Sequence, residues 1–339
     1  MDIYYSADDI NTKKASLENY DEYPWSHKHF QEFKELSTLY NDFIVWRRAG
    51  PFKGETINID SKGVRQTLHT KKTDSNLNLF YFFGGSTMWG TGVSDKFTIP
   101  SLFSKEFGIK SINYGESGYT ARQSLAMMIN KYTQMEIDKS GNSIVYYDGI
   151  NDVANMCRSE IKGQSTPQEG VIRYYLENNP LDYSYIFRPI VELANKVKRK
   201  IYSSRKSKLK YRDCHSNREK AKHVAQSLVK TWSIAAEIAN KNGDNFLAIL
   251  QPVSFIGNSD TSHLSSLNLT DKVNLEKQYL SVYPLIRQYA SKNKKLNFID
   301  FSNIYDNKKV YIDFFHVSPQ GNMLVINQLK KYKKLLNFH

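Results

Sequence analysis

The 339-residue sequence contains no long apolar segment and few of the residues that mark unusual protein classes. No run approaches the ~20 apolar residues that a membrane-spanning helix needs. The start, MDIYYSADDINTKK, lacks the basic and apolar regions of a secretory signal, and 17 Gly and 9 Pro are too few for a fibrous or low-complexity chain. We therefore expect a globular, soluble, cytoplasmic protein, with cell-envelope association as the alternative if the chain is truncated.

Cysteine is equally scarce, since the chain has only Cys157 and Cys214. Neither lies in a Cys-x-x-Cys pair or beside other metal ligands, so we expect two unpaired thiols and a fold without a disulfide framework. His215, His223 and His263 are scattered in polar segments without further ligands at a suitable spacing. We expect neither a metal site nor another cofactor.

Acidic residues are fewer than basic ones, 34 against 47, which gives a formal net charge of +13. Twelve Lys or Arg lie between Lys196 and Lys222, with only two acidic residues among them, and a second basic cluster covers residues 330–334. The long run could attract an anionic polymer or a membrane surface, or it could be a solvated insertion without a partner. No nucleic-acid-binding module is recognisable, so no specific nucleic acid is expected as a partner.

Strands and helices alternate from about residue 78, whereas the preceding residues show only weak periodicity. We interpret residues 1–75 as an N-terminal extension packed on the core, with a short hairpin around Ile57 and Ile59. Residues 76–339 form the main domain. A basic insertion at about 155–218 interrupts its alternation.

Five apolar runs have the length and composition of buried strands. These runs cover residues 79–83, 111–114, 143–147, 246–250 and 296–300. Helices are predicted at residues 98–107, 120–138, 218–242 and 275–291, the last bent or interrupted near Pro284, and after Pro319. The alternation predicts an α/β fold with a parallel sheet covered on both faces, and functional groups then gather at the carboxyl ends of the strands.

Three short motifs directly follow the first three predicted strands. Gly84 and Gly85 precede Ser86, and a tight turn there can present the serine hydroxyl outward; the ending of a phosphate-binding loop is missing. Gly118 precedes a helix, where its N–H can donate to a negative oxygen. Asn151 can supply a side-chain amide for developing negative charge, although a helix cap is the commoner role of such a residue.

The fourth motif pairs Asp313 with His316 near the end of the chain. Their spacing brings the two side chains together on one turn. The carboxylate can then hold one ring nitrogen while the other faces a serine, which is how an imidazole is fixed as a general base.

In this order, the four motifs resemble the sequence blocks of the SGNH hydrolase superfamily, also called GDSL-type esterases. The resemblance covers about residues 78–160 and 245–330. It implies a three-layer α/β/α sandwich around a five-stranded parallel sheet. It also implies catalysis by Ser86, Asp313 and His316, with an oxyanion hole formed by the N–H groups of Ser86 and Gly118 and the side chain of Asn151.

The sequence departs from that family pattern at Gly85, where the first block often has Asp. Gly-Gly-Ser-Thr variants resemble family members that act near bacterial surface polysaccharides, which makes lipase-like substrates less favoured. We therefore expect a serine esterase that removes O-acetyl or other short acyl groups from a carbohydrate or other small ester. The alternatives are an O-acyltransferase with the same triad, acting on a surface polysaccharide, and a non-catalytic binding protein for an anionic polymer.

Aromatic residues are abundant and give that expectation mild support. Trp25, Trp46 and Trp89 are candidates for stacking on a sugar ring, and burial in the core is the competing explanation.

Overall fold

The computed structural model describes residues 7–69, 78–159, 166, 169–170, 212–267 and 269–336. Its α-helices are α1 (Ala7–Ala15), α2 (Ser26–Glu35), α3 (Ser86–Trp89), α4 (Ile99–Phe107), α5 (Ala121–Thr133), α6 (Ile150–Met156), α7 (Arg218–Lys241), α8 (Lys272–Lys292) and α9 (Pro319–Leu329). Its strands are β1 (Thr38–Asn41), β2 (Val45–Arg48), β3 (Phe52–Lys53), β4 (Asn58–Ile59), β5 (Phe80–Gly84), β6 (Ser111–Asn113), β7 (Ser143–Asp148), β8 (Asn245–Leu250) and β9 (Phe298–Asp300).

The central sheet contains five parallel strands in the order β6-β5-β7-β8-β9. All five predicted strands are present, and their ends differ from the predicted ones by at most two residues. The predicted fold class, an α/β sandwich around a five-stranded parallel sheet, is therefore confirmed.

The residues of the central strands alternate between two hydrophobic cores, because successive side chains of a strand point to opposite faces. Tyr81 and Phe83 belong to the core that includes residues of α5, α6, α7 and α8. Phe80 and Phe82 belong to the core on the other face, with residues of α4 and α9. These two cores, one on each face of the sheet, give the three layers.

Helix α5 is shorter than predicted, and helix α8 runs through a proline at which an interruption or a bend is predicted. Helix α5 ends at Thr133, not at residue 138, because the chain turns back there: the Glu136 N–H donates to the Lys131 carbonyl at 2.9 Å, and Met135 takes a positive φ. Helix α8 is continuous through Pro284, not interrupted. Pro284 lies on the exposed side of α8, where water can bond the carbonyl that lacks its helical partner.

The N-terminal residues form two small antiparallel pairs, β1 with β2 and β3 with β4. The expected hairpin is present, since Ile59 bridges to Arg65 and the Asp60 N–H donates to the Val64 carbonyl at 3.0 Å. Arg65 in turn bridges to Asn113 of the edge strand β6. The proposed boundary at residue 75 lies outside the described residues, so the domain division stays a prediction.

Cys157 and Cys214 form a disulfide, so the expectation of two unpaired thiols is wrong. Both side chains are buried, and the Asp213 N–H donates to the Cys157 carbonyl at 3.0 Å beside an antiparallel bridge between Arg158 and Arg212. The end of α6 and the approach to α7 thus lie side by side. Sequence spacing could not show this, because the tertiary fold joins two residues separated by 57 positions.

Most of the basic insertion expected at 155–218, including residues 171–211, lies outside the described residues. The second basic cluster belongs to a 3₁₀ segment, Lys330–Leu336, in which Lys330 pairs with Glu106 at 2.8 Å. In the part of the chain that the structure describes, no helix combines the length and apolarity needed to cross a membrane.

Candidate active site

All four predicted motifs lie beyond the carboxyl ends of the central strands. Ser86 begins α3 directly after β5, Gly118 lies in the loop after β6, and Asn151 is in the first turn of α6 after β7. These three residues and His316 are partly exposed, whereas Asp313 is buried. A solvent molecule or substrate can therefore reach the motif side chains from one end of the sheet.

Ser86, His316 and Asp313 form a continuous line of hydrogen bonds. The Ser86 Oγ and His316 Nε2 atoms are 2.7 Å apart. On the other side of the ring, Nδ1 lies 2.9 Å from Asp313 Oδ2. The arrangement holds the imidazole where it can accept the serine proton.

A tight loop, not the helical turn suggested by the spacing, brings Asp313 to His316. Tyr311 bridges to Val317, and the Ile312 N–H donates to the His316 carbonyl at 2.9 Å. Inside this loop, Asp313 Oδ1 accepts the His316 main-chain N–H at 2.8 Å. An aspartate that bonds main-chain N–H groups of the next few residues stabilises such a turn.

The Asp313 carboxylate also contacts Lys14, a residue that the sequence analysis missed. Lys14 Nζ lies 2.5 Å from Asp313 Oδ2. Burial acts to raise the pKa of Asp313, but the charges of His316 and Lys14 outweigh it and hold that pKa well below its usual range. Asp313 is therefore ionised at neutral pH.

The Asn151 side chain packs directly against Gly85. Its Nδ2 donates to the Tyr119 carbonyl at 2.8 Å, and a Cβ atom added at Gly85 would lie only 2.4 Å from that nitrogen. A side chain at position 85 would therefore displace the amide. An asparagine amide has two hydrogens, so one remains for a substrate oxygen.

Gly118 and Ser86 place main-chain N–H groups in the same region. Gly118 has φ +81°, a conformation that favours glycine, in the turn closed by the Tyr119 N–H and the Glu116 carbonyl at 3.2 Å. Ser86 is the first residue of α3, and an N–H there has no helical carbonyl to bond.

Residues of β2 hold the Gly118 loop through a buried charge cluster. Glu116 is fully buried and accepts the Arg48 N–H at 2.7 Å, and the Arg48 guanidinium lies 3.2 Å from the same carboxylate. Trp46 donates its indole N–H to the Ser117 carbonyl at 3.0 Å, and the Tyr119 hydroxyl donates to the Trp46 carbonyl at 2.5 Å. These contacts could not be predicted from the sequence, because Trp46 and Arg48 lie in a segment without clear periodicity.

Two buried carboxyl groups lie behind Asn151. Burial raises the pKa of Asp152 to about 7, and its carboxyl accepts the Ala121 N–H at 3.2 Å. Burial and the nearby Asp152 charge together raise the pKa of Asp148 well above its usual value. Asp148 accepts hydrogen bonds from Ser124 and Trp232, so this pair supports the site from within the core.

Two of the three candidate tryptophans are core residues. Trp89 is fully buried, with the guanidinium groups of Arg48 and Arg65 at 4.8 and 4.3 Å from its ring centre, and Trp46 is 7% exposed. Trp25 is partly buried and stacks on Phe97 at 5.8 Å. The proposed sugar-stacking role is therefore wrong for Trp46 and Trp89.

Across the described residues, no group of three or more His, Cys, Asp or Glu side chains is arranged to hold a metal ion. His215 lies 2.8 Å from the Gln278 amide, and His263 lies 2.7 Å from the Tyr311 carbonyl.

No family model and no curated protein matches this sequence. Among solved structures, the chain is similar to a carbohydrate acetylesterase family member from Sinorhizobium meliloti, with 15% identity, a TM-score of 0.42, and coverage of 77% of this chain and 100% of that one. It is also similar to a G-D-S-L family lipolytic protein from Veillonella parvula, with 13% identity, a TM-score of 0.39, and coverage of 75% and 97%.

An acetylxylan esterase from Geobacillus stearothermophilus shows 14% identity, a TM-score of 0.37, and coverage of 79% of this chain and 97% of that one. Similarity at this level does not extend to substrate or reaction. The fold rests on its own strand order, which is the parallel five-stranded arrangement that the resemblance to SGNH hydrolases implies.

Proposed function

We propose that the chain is a serine ester hydrolase that removes O-acetyl or other short acyl groups from a carbohydrate. The observation that carries this proposal is the line from Ser86 Oγ through the His316 ring to Asp313, with separations of 2.7 and 2.9 Å. A hydroxyl bonded to an imidazole that an ionised carboxylate holds is the arrangement of an activated serine nucleophile.

In the acylation step, Ser86 Oγ attacks the carbonyl carbon of the ester while its proton passes to His316 Nε2. Asp313 keeps the other ring nitrogen protonated and stabilises the resulting imidazolium. The carbonyl oxygen becomes an oxyanion, which the N–H groups of Ser86 and Gly118 and the Asn151 amide are proposed to bind.

Collapse of this intermediate breaks the bond between the acyl carbon and the sugar oxygen. His316 returns its proton to that leaving oxygen, and the acyl group stays on Ser86. A water molecule, deprotonated by the same imidazole, then attacks the acyl-serine. The bond between the acyl carbon and Ser86 Oγ breaks, Oγ takes the proton from His316, and the free acid leaves.

The disulfide supports a location where surface carbohydrates occur. Disulfides persist in oxidising compartments and are rare in the cytoplasm, so the Cys157–Cys214 bond favours the cell envelope over the cytoplasmic location expected from the sequence. The Gly-Gly-Ser-Thr variant of the first motif supports the same choice by its resemblance to polysaccharide-associated members.

The test divides the wild type, Ser86→Ala and the exposed-site control Ser291→Ala into separate samples, one treated with a fluorophosphonate and the others, unlabelled, with acetylated sugars and aryl esters. The wild type and the control should label on the peptide containing Ser86 and release acetate, whereas Ser86→Ala should do neither. Acetate release by Ser86→Ala at the wild-type rate would contradict the proposal.

The same experiment separates the alternative functions. An added sugar acceptor that becomes acetylated in preference to water identifies an acyltransferase. Salt-dependent binding of an anionic polymer, without labelling or acetate release, identifies a non-catalytic binding protein.

A further inference from the structure

Lys14 reaches the candidate active site from the last turn of α1, in the N-terminal extension. Its Nζ lies 2.5 Å from Asp313 Oδ2, although 299 positions separate the two residues in sequence. We propose that Lys14 is a positioning residue of this site, which fixes the Asp313 carboxylate and, through it, the imidazole of His316. The inference rests on the proposed function.

Lys14 completes the set of donors around the carboxylate. Asp313 Oδ1 accepts the main-chain N–H groups of Phe315 and His316, each at 2.8 Å, while Oδ2 lies 2.9 Å from the His316 ring nitrogen. A carboxylate accepts about four hydrogen bonds, and the ammonium of Lys14 supplies the fourth. If Lys14 is removed, the His316 ring is the one hydrogen-bond partner left to Oδ2 within the described part of the chain.

The Lys14–Asp313 ion pair is shielded from water, so water cannot readily replace either partner. The side chains of Lys14 and Asp313 are only 13% and 11% exposed. Removing one member of a shielded ion pair leaves the other charge without compensation. We therefore expect the carboxylate of a Lys14 variant to move or to take up water, which loosens the orientation of His316.

The chain around Lys14 is anchored to the loop that carries Asp313. The Asn19 amide donates to the Tyr311 carbonyl at 2.9 Å, and the Ser26 hydroxyl donates to the Ala15 carbonyl at 2.9 Å. The Tyr20 hydroxyl donates to the Gly92 carbonyl at 2.6 Å. These bonds hold the end of α1 against the site and give the ammonium a defined position.

Lys14 on α1 and His316 on its own loop bond the Asp313 carboxylate, and Tyr20, on the short 3₁₀ helix Glu18–Tyr20, is close enough to respond to its charge. Burial, followed by the charge of Asp313, raises the pKa of Tyr20 well above its usual value, so this group stays neutral. The ammonium of Lys14 therefore brings a positive charge to that side of the carboxylate.

The test measures the rate of fluorophosphonate labelling of Ser86 as a function of pH in the full-length chain. This readout requires an activated serine but no knowledge of the natural substrate. Lys14→Met should label about tenfold more slowly at neutral pH, because a small displacement of the base is costly. The acidic limb of its pH–labelling curve, where the rate falls with decreasing pH, should lie about one pH unit higher than in the wild type, as expected when a neighbouring positive charge is lost.

Two further variants separate positioning from a general structural effect. Lys14→Arg keeps the charge and should recover most of the labelling rate and the wild-type pH profile. Lys13→Met, on the same helix, should behave as the wild type. Lys14→Gln replaces the charge with a neutral donor and should show the shifted acidic limb even if the Met variant does not fold.

The Lys14 inference is overturned, and the proposed function left intact, if Lys14→Met labels at the wild-type rate with the wild-type pH profile. Where the Met variant does not fold, the same result in Lys14→Gln overturns it. Equal slowing in the Lys13 variant would also overturn it, since the effect would then be structural. Absence of labelling at Ser86 in the wild type would instead refute the proposed function and the inference together.

Discussion

The amide of Asn151 lies so close to Gly85 that the glycine cannot carry a side chain without displacing it. A Cβ atom at position 85 would lie 2.4 Å from Asn151 Nδ2 and 3.2 Å from the Tyr119 carbonyl oxygen. Gly85 has φ −81°, which any residue can adopt, so close contact alone accounts for the glycine. The glycine at this position thus has a physical cause in this fold.

Gly85→Ala should therefore fold but react slowly. The added methyl group pushes the Asn151 amide away from the oxyanion position, and we expect labelling of Ser86 to fall about a hundredfold. Gly170→Ala is the matched control, since a Cβ there meets nothing within 4 Å. Labelling of Gly85→Ala at the wild-type rate would show that the amide position is not critical.

Asn151→Ala removes the proposed oxyanion donor and leaves Gly85 uncrowded. Loss of one such donor costs about 3 kcal/mol of barrier, so kcat should fall on the order of a hundredfold or more. KM for an aryl acetate should change little, because the donor acts chiefly on the transition state. A kcat that stays within about twofold of wild type would remove Asn151 from the oxyanion hole.

The sequence predicts the strands of the core better than it predicts the tertiary contacts around them. Buried strands such as β5 and β8 were predictable because they are continuous apolar runs. Ser86 was proposed from the glycine-rich turn that follows a strand, and His316 from its spacing to Asp313. Lys14, by contrast, acts through a tertiary contact made by a helix of weak periodicity. The Cys157–Cys214 bond was missed for the same reason, since no local sequence pattern links the two cysteines.

The buried carboxyl pair predicts a specific pH dependence of stability. The pKa of Asp152 is raised to about 7 and that of Asp148 is raised well above normal. The two carboxyl groups therefore make their full contribution to the free energy of unfolding when the pH is below the pKa of an aspartate in the unfolded chain. This contribution is lost as the pH rises through about 7. Asp148→Asn removes one of the two acids and should reduce this loss.

The measurement compares the unfolding free energies of wild type and Asp148→Asn by urea titration at pH 5 and pH 8. The variant should gain about 1 kcal/mol or more relative to wild type between these two values. A difference that is the same at both pH values would show that the pair titrates normally in the folded chain.

The disulfide predicts a second stability effect. Cys157→Ser with Cys214→Ser should lower the unfolding free energy by about 2–4 kcal/mol, because the crosslink restricts the unfolded chain. The double variant should still label at Ser86, since neither cysteine contacts the motif residues. Peptide mapping without reductant should show the two cysteines linked, and free thiols in protein from an oxidising compartment would contradict the assignment.

The most direct measurement of the central claim is mass spectrometry of the enzyme quenched during turnover of an aryl acetate. The account predicts one acetyl group on the peptide that contains Ser86, formed rapidly in the wild type, slowly in His316→Ala and not at all in Ser86→Ala. Turnover without this adduct in the wild type, and at an unchanged rate in Ser86→Ala, would contradict an acyl-serine mechanism at this site.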